Sequence, residues 1–246
     1  KVNYAIFANG NYKFFYAIKD SGGFYHLKGL NKEELTSAKK GDFKQNYEPY
    51  KHIGEGTYGS VDGYPTENVV VKKYKKMDVD FVKEVAIYRL FKEFTCMPHF
   101  YNFLYDIKNY KQPSIVIEKG MTTLNKFKCN YEKESDIMKK VLFQFAKCLR
   151  LFNSQGLIHC DLKPINILIV NSEDDIKPQI IDWGLAKIDH CPNANQNIDF
   201  NIQTQPWRAP VIFVNKPYNY KIDIFSLGII YTEVYKKIKK DLDQMP

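Results

Sequence analysis

The start of the chain carries two runs of apolar and aromatic residues, separated by Asn9 and Gly10. An Asn-Gly pair between such runs is a strong short-range signal for a tight β-hairpin. A Ser-Gly-Gly turn follows, so residues 1–30 are predicted to form a small β-meander. Residues 31–40 have the pattern of a short helix. Because none of these residues forms a catalytic pattern, we interpret residues 1–49 as a β-rich N-terminal extension.

From residue 50 onward the pattern changes to a strand, a glycine-rich turn and a second strand, in "YKHIGEGTYGSVDGY" and "NVVVKKYKK". A helical pattern, "DVDFVKEVAIYRLFKEF", and a further strand, "PSIVIEKG", come next. Apolar residues over 133–155 then follow the helical period, which predicts a long amphipathic helix. Two apolar runs, "NILIV" and "QIIDWG", precede a final helix, "IDIFSLGIIYTEVY". The chain is therefore predicted to be α+β, β-rich first and mainly helical second.

Composition adds limits on the class of protein. The 246 residues are 44% hydrophobic and 15% aromatic, which is enough for a packed core. No run of about eighteen uncharged apolar residues and no signal-peptide pattern is present, so neither a membrane span nor secretion is predicted. The five cysteines never occur in CxxC spacing, which disfavours a zinc site and favours an intracellular protein, cytoplasmic or nuclear. The net charge of +8 includes short lysine clusters typical of solvated surfaces, so direct nucleic-acid binding is not expected.

The stretch "GEGTYGSV" places Gly54, Gly56 and Gly59 between two predicted strands. Glycines let backbone N–H groups approach phosphate oxygens closely, because they have no side chain. The same glycines would also suit an ordinary turn, so the motif alone is weak. A strand rather than a helix follows it, which disfavours a dinucleotide-binding motif.

Lys72 ends the run "VVVK" on the next predicted strand, where its ammonium group can reach the same phosphates. Glu84 lies among apolar positions of the following helix, where a carboxylate is costly without a cation nearby. We therefore expect Lys72 and Glu84 to form an ion pair. The alternatives are a surface lysine and a solvated helical glutamate.

The stretch "GLIHCDLKPINILIV" holds four polar residues, His159, Asp161, Lys163 and Asn166, among apolar neighbours. Polar groups in such surroundings are costly unless they are paired, which is typical of a loop at the edge of a ligand cleft. Asp182 in "DWG" follows Asn166 after sixteen residues.

These motifs, with "TQPWRAP" and "DIFSLG", closely resemble those of the eukaryotic protein kinases, over residues 50–235. "TQPWRAP" and "DIFSLGIIYTEV" are most similar to the cyclin-dependent and MAP kinase branch, whereas "DWG" is similar to the motif of casein kinases. The resemblance implies a bilobal fold, with an N-lobe over 50–119 and a C-lobe over 120–246. It also implies a protein serine/threonine kinase that uses ATP and Mg²⁺, with Mn²⁺ as an alternative ion, and that acts on protein substrates.

The resemblance further implies roles for single residues. Asp161 and Lys163 would orient the substrate hydroxyl and neutralise the moving phosphoryl group. Asn166 and Asp182 would supply the hard oxygen ligands that Mg²⁺ prefers. The catalytic set is Asp161, Lys163, Lys72 and Glu84. The residues implied in ATP binding are Ile53, Gly54, Gly56, Gly59, Val61, Val70, Lys72, Ile117, Glu118, Gly120 and Leu168.

Three further residues are implied in supporting this site. His159 would pack on Trp183 rather than act as a base. Asp223 would bind the backbone of the catalytic loop. Thr204, on the substrate side, would hydrogen-bond the catalytic Asp and Lys and favour Ser/Thr over Tyr substrates.

Several residues depart from the kinase pattern. Cys160 stands where regulated kinases have the Arg that meets a phosphorylated activation loop, and residues 185–203 contain no Ser, Thr or Tyr. We therefore expect activity without activation-loop phosphorylation, as in non-RD kinases. Trp183 replaces the usual Phe and is expected to hold the inward conformation. Val211 replaces a Glu of the kinase pattern. Only eighteen residues follow Gly228, so the C-lobe is expected to be short. The chain would then be a fragment, or a compact kinase of the kind seen in large DNA viruses.

Two other functions stay open. A pseudokinase would bind ATP or a partner without catalysis, although the complete set of polar motif residues argues against it. A small-molecule kinase of the choline or aminoglycoside type shares the Asp and Asn spacing but lacks "TQPWRAP". The many aromatic residues of segment 1–40 lead us to expect that it packs on the N-lobe or on a second subunit, which would give a homo-oligomer.

Overall fold

The computed structural model describes residues 6–8, 13–19, 25–30, 51–55, 59–64, 68–75, 79–106, 111–127, 131–172, 175–188 and 202–243. The chain divides into two units, Lys1–Lys119 and Gly120–Pro246, which are described separately. In these described ranges, no helix is both long enough and apolar enough to cross a membrane.

The first unit begins with a three-stranded antiparallel sheet in the order β1-β2-β3. Its strands are β1 (Ile6–Ala8), β2 (Lys13–Lys19) and β3 (Tyr25–Leu30). The predicted meander is therefore confirmed for these strands, and the Asn9-Gly10 pair itself lies outside the described residues. The helix predicted over 31–40 lies outside the described residues.

A five-stranded antiparallel sheet follows in the order β4-β5-β6-β8-β7. Its strands are β4 (Lys51–Glu55), β5 (Gly59–Tyr64), β6 (Val69–Tyr74), β7 (Phe100–Asp106) and β8 (Lys111–Glu118). The pattern of the sequence did not predict β7, because its run of aromatic residues lacks a regular polar alternation. One face of this sheet packs Tyr64, Val69, Val71 and Val116 into a buried cluster.

Helix α1 (Val79–Leu90) lies between β6 and β7 in the chain and packs within this unit. Phe81 is 2% exposed, and its ring meets Tyr74 of β6 at 5.0 Å and Phe103 of β7 at 6.5 Å, both edge-on. Strand β1 also contacts α1. These contacts hold the helix that carries Glu84.

The second unit is built around two long helices that contact each other, α2 (Tyr131–Ser154) and α4 (Lys221–Asp243). A short helix, α3 (Pro210–Phe213), precedes α4. The predicted amphipathic helix is confirmed, because its apolar stripe is buried. The fully covered residues of this stripe are Met138, Val141, Phe145, Leu149 and Phe152.

Two small antiparallel sheets hold the polar loops of the second unit. One has the order β12-β11-β9, with β9 (Thr122–Thr123), β11 (Ile167–Ser172) and β12 (Asp175–Ile180). The other pairs β10 (Leu157–Ile158) with β13 (Lys187–Ile188). The predicted α+β class, β-rich first and mainly helical second, is confirmed.

Candidate active site

One face of the five-stranded sheet carries most of the residues predicted to line an ATP site. Val61 pairs directly with Lys72 across β5 and β6, and Val70 pairs with Ile117 across β6 and β8. Opposed residues of antiparallel strands share a face, as do residues two apart on one strand. Val61, Val70, Lys72 and Ile117 therefore lie on the same face.

Ile53 of β4 reaches this face by lying over Gly63. A β-carbon at Gly63 would come 2.6 Å from Cδ1 of Ile53, so the Ile53 side chain occupies the space over this glycine. Gly63 pairs with Val70, which places Ile53 on the face just described. Ile53 is nevertheless 49% exposed, as expected for a residue at the rim of a site.

The motif glycines differ in what surrounds them. A β-carbon at Gly59 would lie 1.7 Å from the carbonyl oxygen of Lys73, so the close approach of β5 to β6 requires glycine there. A β-carbon at Gly54 would meet no atom of the described residues within 4 Å. Packing among the described residues therefore explains Gly59 but leaves Gly54 with an open side in this part of the chain. Gly56 lies outside the described residues.

The predicted ion pair between Lys72 and Glu84 is present. Nζ of Lys72 lies 2.8 Å from Oε2 of Glu84, and the glutamate side chain is 1% exposed. The hydroxyl of Tyr74 donates a hydrogen bond to the same carboxylate oxygen. The Lys72 ammonium group also lies 4.9 Å from the centre of the Tyr74 ring. Tyr74 was not predicted, and it helps to compensate the buried carboxylate.

Backbone groups at the end of β8 are partly used by the first unit itself. The N–H of Glu118 donates to the carbonyl of His99 at 2.9 Å, and the N–H of Lys119 donates to the carbonyl of Asn68 at 3.0 Å. The N–H groups of Glu118 and Lys119 are therefore already bound within the first unit.

Gly120 begins the second unit and makes room for Leu168. A β-carbon at Gly120 would lie 2.3 Å from Cγ of Leu168. The next residue, Met121, donates its N–H to the carbonyl of Ile169 at 2.9 Å, which holds this segment against β11. Leu168 is half-buried on β11, so an apolar surface is retained at this position.

Asp161, Lys163 and Thr204 form a hydrogen-bonded cluster in the second unit. The Thr204 hydroxyl donates to Oδ1 of Asp161 at 2.7 Å, and Lys163 Nζ donates to Oδ2 at 2.8 Å. Lys163 also donates to Oγ1 of Thr204 at 2.9 Å. The Asp161 side chain is 7% exposed and that of Lys163 is 21% exposed. Thr204 thus makes both hydrogen bonds expected of it.

Asp223 of α4 binds the backbone of the loop that carries Asp161. Its two carboxylate oxygens accept the N–H of His159 at 2.7 Å and the N–H of Cys160 at 3.1 Å, as predicted. Burial raises the pKa of Asp223 overall, although His159 and the two backbone hydrogen bonds act in the opposite direction. Asp223 is therefore a buried anchor with no access to a substrate.

His159 has both ring nitrogens occupied. Its Nδ1 accepts the N–H of Asp161 at 3.1 Å, and its Nε2 lies 2.9 Å from the carbonyl oxygen of Ile181. Its ring lies 4.6 Å from that of Trp183. The predicted supporting role of His159 agrees with this geometry, because neither nitrogen faces a substrate.

Asn166 and Asp182 are brought close by the backbone. Ile181, which precedes Asp182, donates its N–H to the carbonyl of Asn166 at 3.0 Å. Nδ2 of Asn166 donates to the carbonyl of Asp161 at 2.9 Å, which orients the amide group. Asp182 has a left-handed backbone, with φ 68°. An amide oxygen and a carboxylate fit Mg²⁺, a hard cation that keeps several waters.

Trp183 packs into the core beside Asp182. It is 0% exposed, and its indole N–H donates to the carbonyl of Ile180 at 3.1 Å. Its ring meets Phe152 of α2 edge-on at 4.8 Å. These contacts agree with the expectation that Trp183 holds this turn in one conformation.

The comparison with known proteins is decisive for the family. Residues 47–240 match the protein kinase domain. The chain belongs to the protein kinase domain family. The predicted resemblance to the eukaryotic protein kinases is thereby confirmed.

The relatives of this kinase chain include members of the MAP kinase branch. It is 28% identical to mitogen-activated protein kinase 13 of Bos taurus, over 90% of this chain and 63% of that protein. It is 32% identical to mitogen-activated protein kinase sty1 of Schizosaccharomyces pombe, over 76% and 54%. It is 30% identical to a probable dual specificity protein kinase YAK1 homolog of Encephalitozoon cuniculi, over 78% and 48%. The chain spans about three fifths of the length of the first of these curated relatives.

Two departures from the kinase pattern are residues of the core in this structure. Cys160 is a buried free thiol in a cluster with Ile158 and Ile222, and Val211 packs against the same cluster. Cys160 is therefore covered by apolar residues, and Val211 gains apolar contacts where the kinase pattern has a carboxylate.

Asp62 of β5 is a structural residue that the sequence did not reveal. It lies 3.1 Å from Nδ1 of His52 on β4 and 2.5 Å from Nζ of Lys73 on β6. Burial by itself would raise the pKa of Asp62, but Lys73 and His52 outweigh it and lower the pKa overall. These two contacts of Asp62 tie together β4, β5 and β6. A lone Asp in a strand gives no sequence signal for such a role.

Proposed function

We propose that this chain is an active protein serine/threonine kinase that transfers the γ-phosphoryl group of ATP to protein substrates. The observation that carries the proposal is the cluster of Asp161, Lys163 and Thr204. Both oxygens of the Asp161 carboxylate are held at 2.7–2.8 Å by these two neighbours. A carboxylate held this firmly can orient an acceptor hydroxyl, and phosphoryl transfer depends mainly on positioning and charge neutralisation.

In this proposal Asp161 accepts a hydrogen bond from the Ser or Thr hydroxyl of the substrate and takes up its proton. Lys163 lies beside the same carboxylate and neutralises the charge that develops on the transferred group. Lys72 binds the ATP phosphates, and its ion pair with Glu84 directs it. The open side of Gly54 admits a phosphate group. Mg²⁺, when bound, bridges the phosphates and neutralises their charge.

The remaining site residues are assigned by the same proposal. Asn166 and Asp182 hold the metal ion, and the Gly120 N–H meets the adenine edge. The apolar surfaces that cover the base are Ile53, Val61, Val70, Ile117 and Leu168. In terms of domains, we assign residues 50–119 to the N-lobe, 120–246 to the C-lobe and 1–49 to an extension of the N-lobe.

The test replaces one charged group at a time. We expect Lys72→Met and Asp182→Asn each to abolish transfer to a Ser peptide in a protein that still folds. Asp182→Asn should keep a melting temperature close to that of the wild type, whereas Lys72→Met should lower it, because it leaves the buried Glu84 carboxylate without its cation. Lys73→Met is the matched control, because Lys73 lies on the same strand but pairs with Asp62 on the opposite face. Wild-type turnover by the Asp182→Asn variant with Mg²⁺ would show that the metal-site assignment is wrong.

A pseudokinase is the alternative outcome of the same experiment. It would bind ATP, seen as a rise in melting temperature with ATP and Mg²⁺, but the wild-type chain would transfer no phosphoryl group to any Ser or Thr peptide. The buried and paired Glu84 and Asp161 favour the active enzyme, because such carboxylates are costly to keep unless they are used.

Activity without activation-loop phosphorylation is a second part of the proposal. It is supported by Cys160, which is buried among apolar residues, and by the absence of Ser, Thr and Tyr from residues 185–203. Protein made in bacteria and treated with a phosphatase should keep its turnover. A large loss of turnover after this treatment would contradict the proposal.

Preference for Ser/Thr over Tyr is the third part. Thr204 holds Asp161 at a fixed depth, which a short hydroxyl side chain can reach and a tyrosine hydroxyl would overshoot. Misplacement by about 1 Å can cost on the order of a hundredfold in rate. Three peptides that differ only in Ser, Thr or Tyr at the acceptor position test this. Faster turnover of the Tyr peptide would overturn it.

The extension is proposed to pack on the N-lobe, because β1 contacts α1. Deleting residues 1–40 is expected to lower the melting temperature. If the extension instead joins two subunits, the deletion changes the mass measured by light scattering. A deletion that alters neither quantity would refute both possibilities.

A further inference from the structure

Gln203 directly precedes Thr204 and is only 3% exposed. Its backbone lies in the left-handed region, with φ 59°. A long polar side chain in the core and a left-handed backbone at a residue other than glycine are both unfavourable unless the surroundings compensate them. The contacts of Gln203 supply that compensation.

The side-chain amide of Gln203 links helix α4 to the segment before α3. Nε2 donates to the carbonyl of Ile222 and to Oγ of Ser226, both at 2.9 Å. Oε1 accepts the N–H of Ala209 at 2.8 Å. Ile222 and Ser226 lie one turn apart on α4, so both donor contacts are made to one face of a long helix.

The main chain of Gln203 is bound as well. Its N–H donates to the carbonyl of Cys160 in the catalytic loop at 2.8 Å, and its carbonyl accepts Nε of Arg208 at 2.9 Å. Ser226 is 0% exposed, and the hydroxyl that accepts from Gln203 donates in turn to the carbonyl of Trp207 at 2.8 Å. Gln203 therefore joins three separate parts of the second unit.

We propose that Gln203 is a positioning residue that sets the place of Thr204 and, through it, the orientation of Asp161. Thr204 is the next residue in the chain and binds both Asp161 and Lys163, so a shift of Gln203 moves all three groups. The inference rests on the proposed function, since it concerns the same acceptor site. Gln203 would thus anchor the segment before α3 by uncharged hydrogen bonds. Cys160, which replaces the Arg of regulated kinases, has no charge with which to bind a phosphorylated residue.

The test is Gln203→Met, which keeps the length of the side chain and removes the amide. We expect kcat on a Ser peptide to fall by about tenfold and the peptide KM to rise, with the KM for ATP unchanged. Gln155→Met, at the end of α2, is the control and should match the wild type. A folded Gln203→Met variant with wild-type kcat and peptide KM would overturn the inference.

A double variant separates positioning from a general loss of structure. If Gln203 acts through Thr204, then Gln203→Met combined with Thr204→Val lowers kcat no further than Thr204→Val alone. Effects that multiply would show that the two residues act independently and would overturn the inference. If Gln203→Met does not fold, Ser226→Ala replaces it, with the exposed Ser154→Ala as its control, and the same non-additivity is required.

Hydrogen exchange provides a readout that does not depend on turnover. The N–H of Ala209 is bound to Oε1 of Gln203, so its exchange should become faster in Gln203→Met, together with that of residues 204–208. Unchanged exchange would overturn the inference. An inactive wild-type protein would refute the proposed kinase activity, and this measurement would still decide whether Gln203 anchors the segment.

Discussion

Replacing Thr204 by valine removes one hydroxyl from the centre of the proposed site and keeps the shape of the side chain. In the wild type this hydroxyl donates to Asp161 and accepts from Lys163, at 2.7 and 2.9 Å. Thr204→Ser is the matched control, because it keeps the hydroxyl and removes only a methyl group.

The size of the effect follows from the two hydrogen bonds. Each involves a charged partner and is worth about 1.5–3 kcal/mol. Asp161 and Lys163 still bind each other at 2.8 Å without Thr204, and Thr204 is half-buried, so water can replace part of the loss. We therefore expect a total cost of about 1.5–3 kcal/mol in the transition state, which corresponds to a fall in kcat of about 10- to 150-fold.

The assay is steady-state transfer of phosphate from ATP to a Ser peptide, with melting temperatures measured in parallel. We expect Thr204→Val to lose kcat with little change in the KM for ATP, and Thr204→Ser to stay within about threefold of the wild type. If a stably folded Thr204→Val protein keeps kcat within twofold of the wild type, then the hydroxyl does not hold Asp161 for catalysis and the reasoning is wrong.

Three other substitutions test separate parts of the structure. Gly54→Ala should raise the KM for ATP by about tenfold without lowering the melting temperature. Gly59→Ala should lower the melting temperature, because its methyl group would meet backbone atoms of β6. Equal melting temperatures for the two variants would contradict this difference between the glycines. Trp183→Phe should destabilise the protein by about 2–4 kcal/mol, because it leaves a cavity and removes the hydrogen bond to the buried carbonyl of Ile180. Denaturant unfolding measures this loss of stability. A loss under about 0.5 kcal/mol would contradict the packing argument. Asp62→Asn should cost stability at neutral pH. Because the folded pKa lies below the unfolded value of 3.8, the difference from the wild type should vanish only as the pH falls below that value; a difference that disappears well above pH 3.8 would contradict the assignment to the Asp62 carboxylate.

Local features of the chain were predictable because neighbouring residues determine them. The antiparallel pairing of β1 with β2 was predicted from turn chemistry, and the apolar stripe of α2 was predicted from periodicity. The catalytic loop and "DWG" were recognisable for a related reason, since phosphoryl transfer needs a carboxylate, a lysine and an amide at fixed spacing. The protein kinase family was therefore recognisable from the sequence.

The sequence pattern did not predict β7, because its residues are mostly aromatic and do not alternate regularly between apolar and polar. Its position at the edge of the sheet, beside β8, depends on pairing between strands and not on its own residues. The predicted helix over 31–40 falls outside the described residues and stays a prediction.

The contacts that hold the site were decided by tertiary structure. The amide of Gln203 meets Ser226 across 23 residues, and Asp62 meets His52 and Lys73 on two other strands. In the sequence a lone Gln before a Thr looks like an ordinary loop residue, since glutamine is usually exposed. Only folding buries it, and a buried amide must find partners. The motif residues are thus determined locally by the chemistry they serve, whereas the residues that position them are determined by which distant segments the packed core brings together.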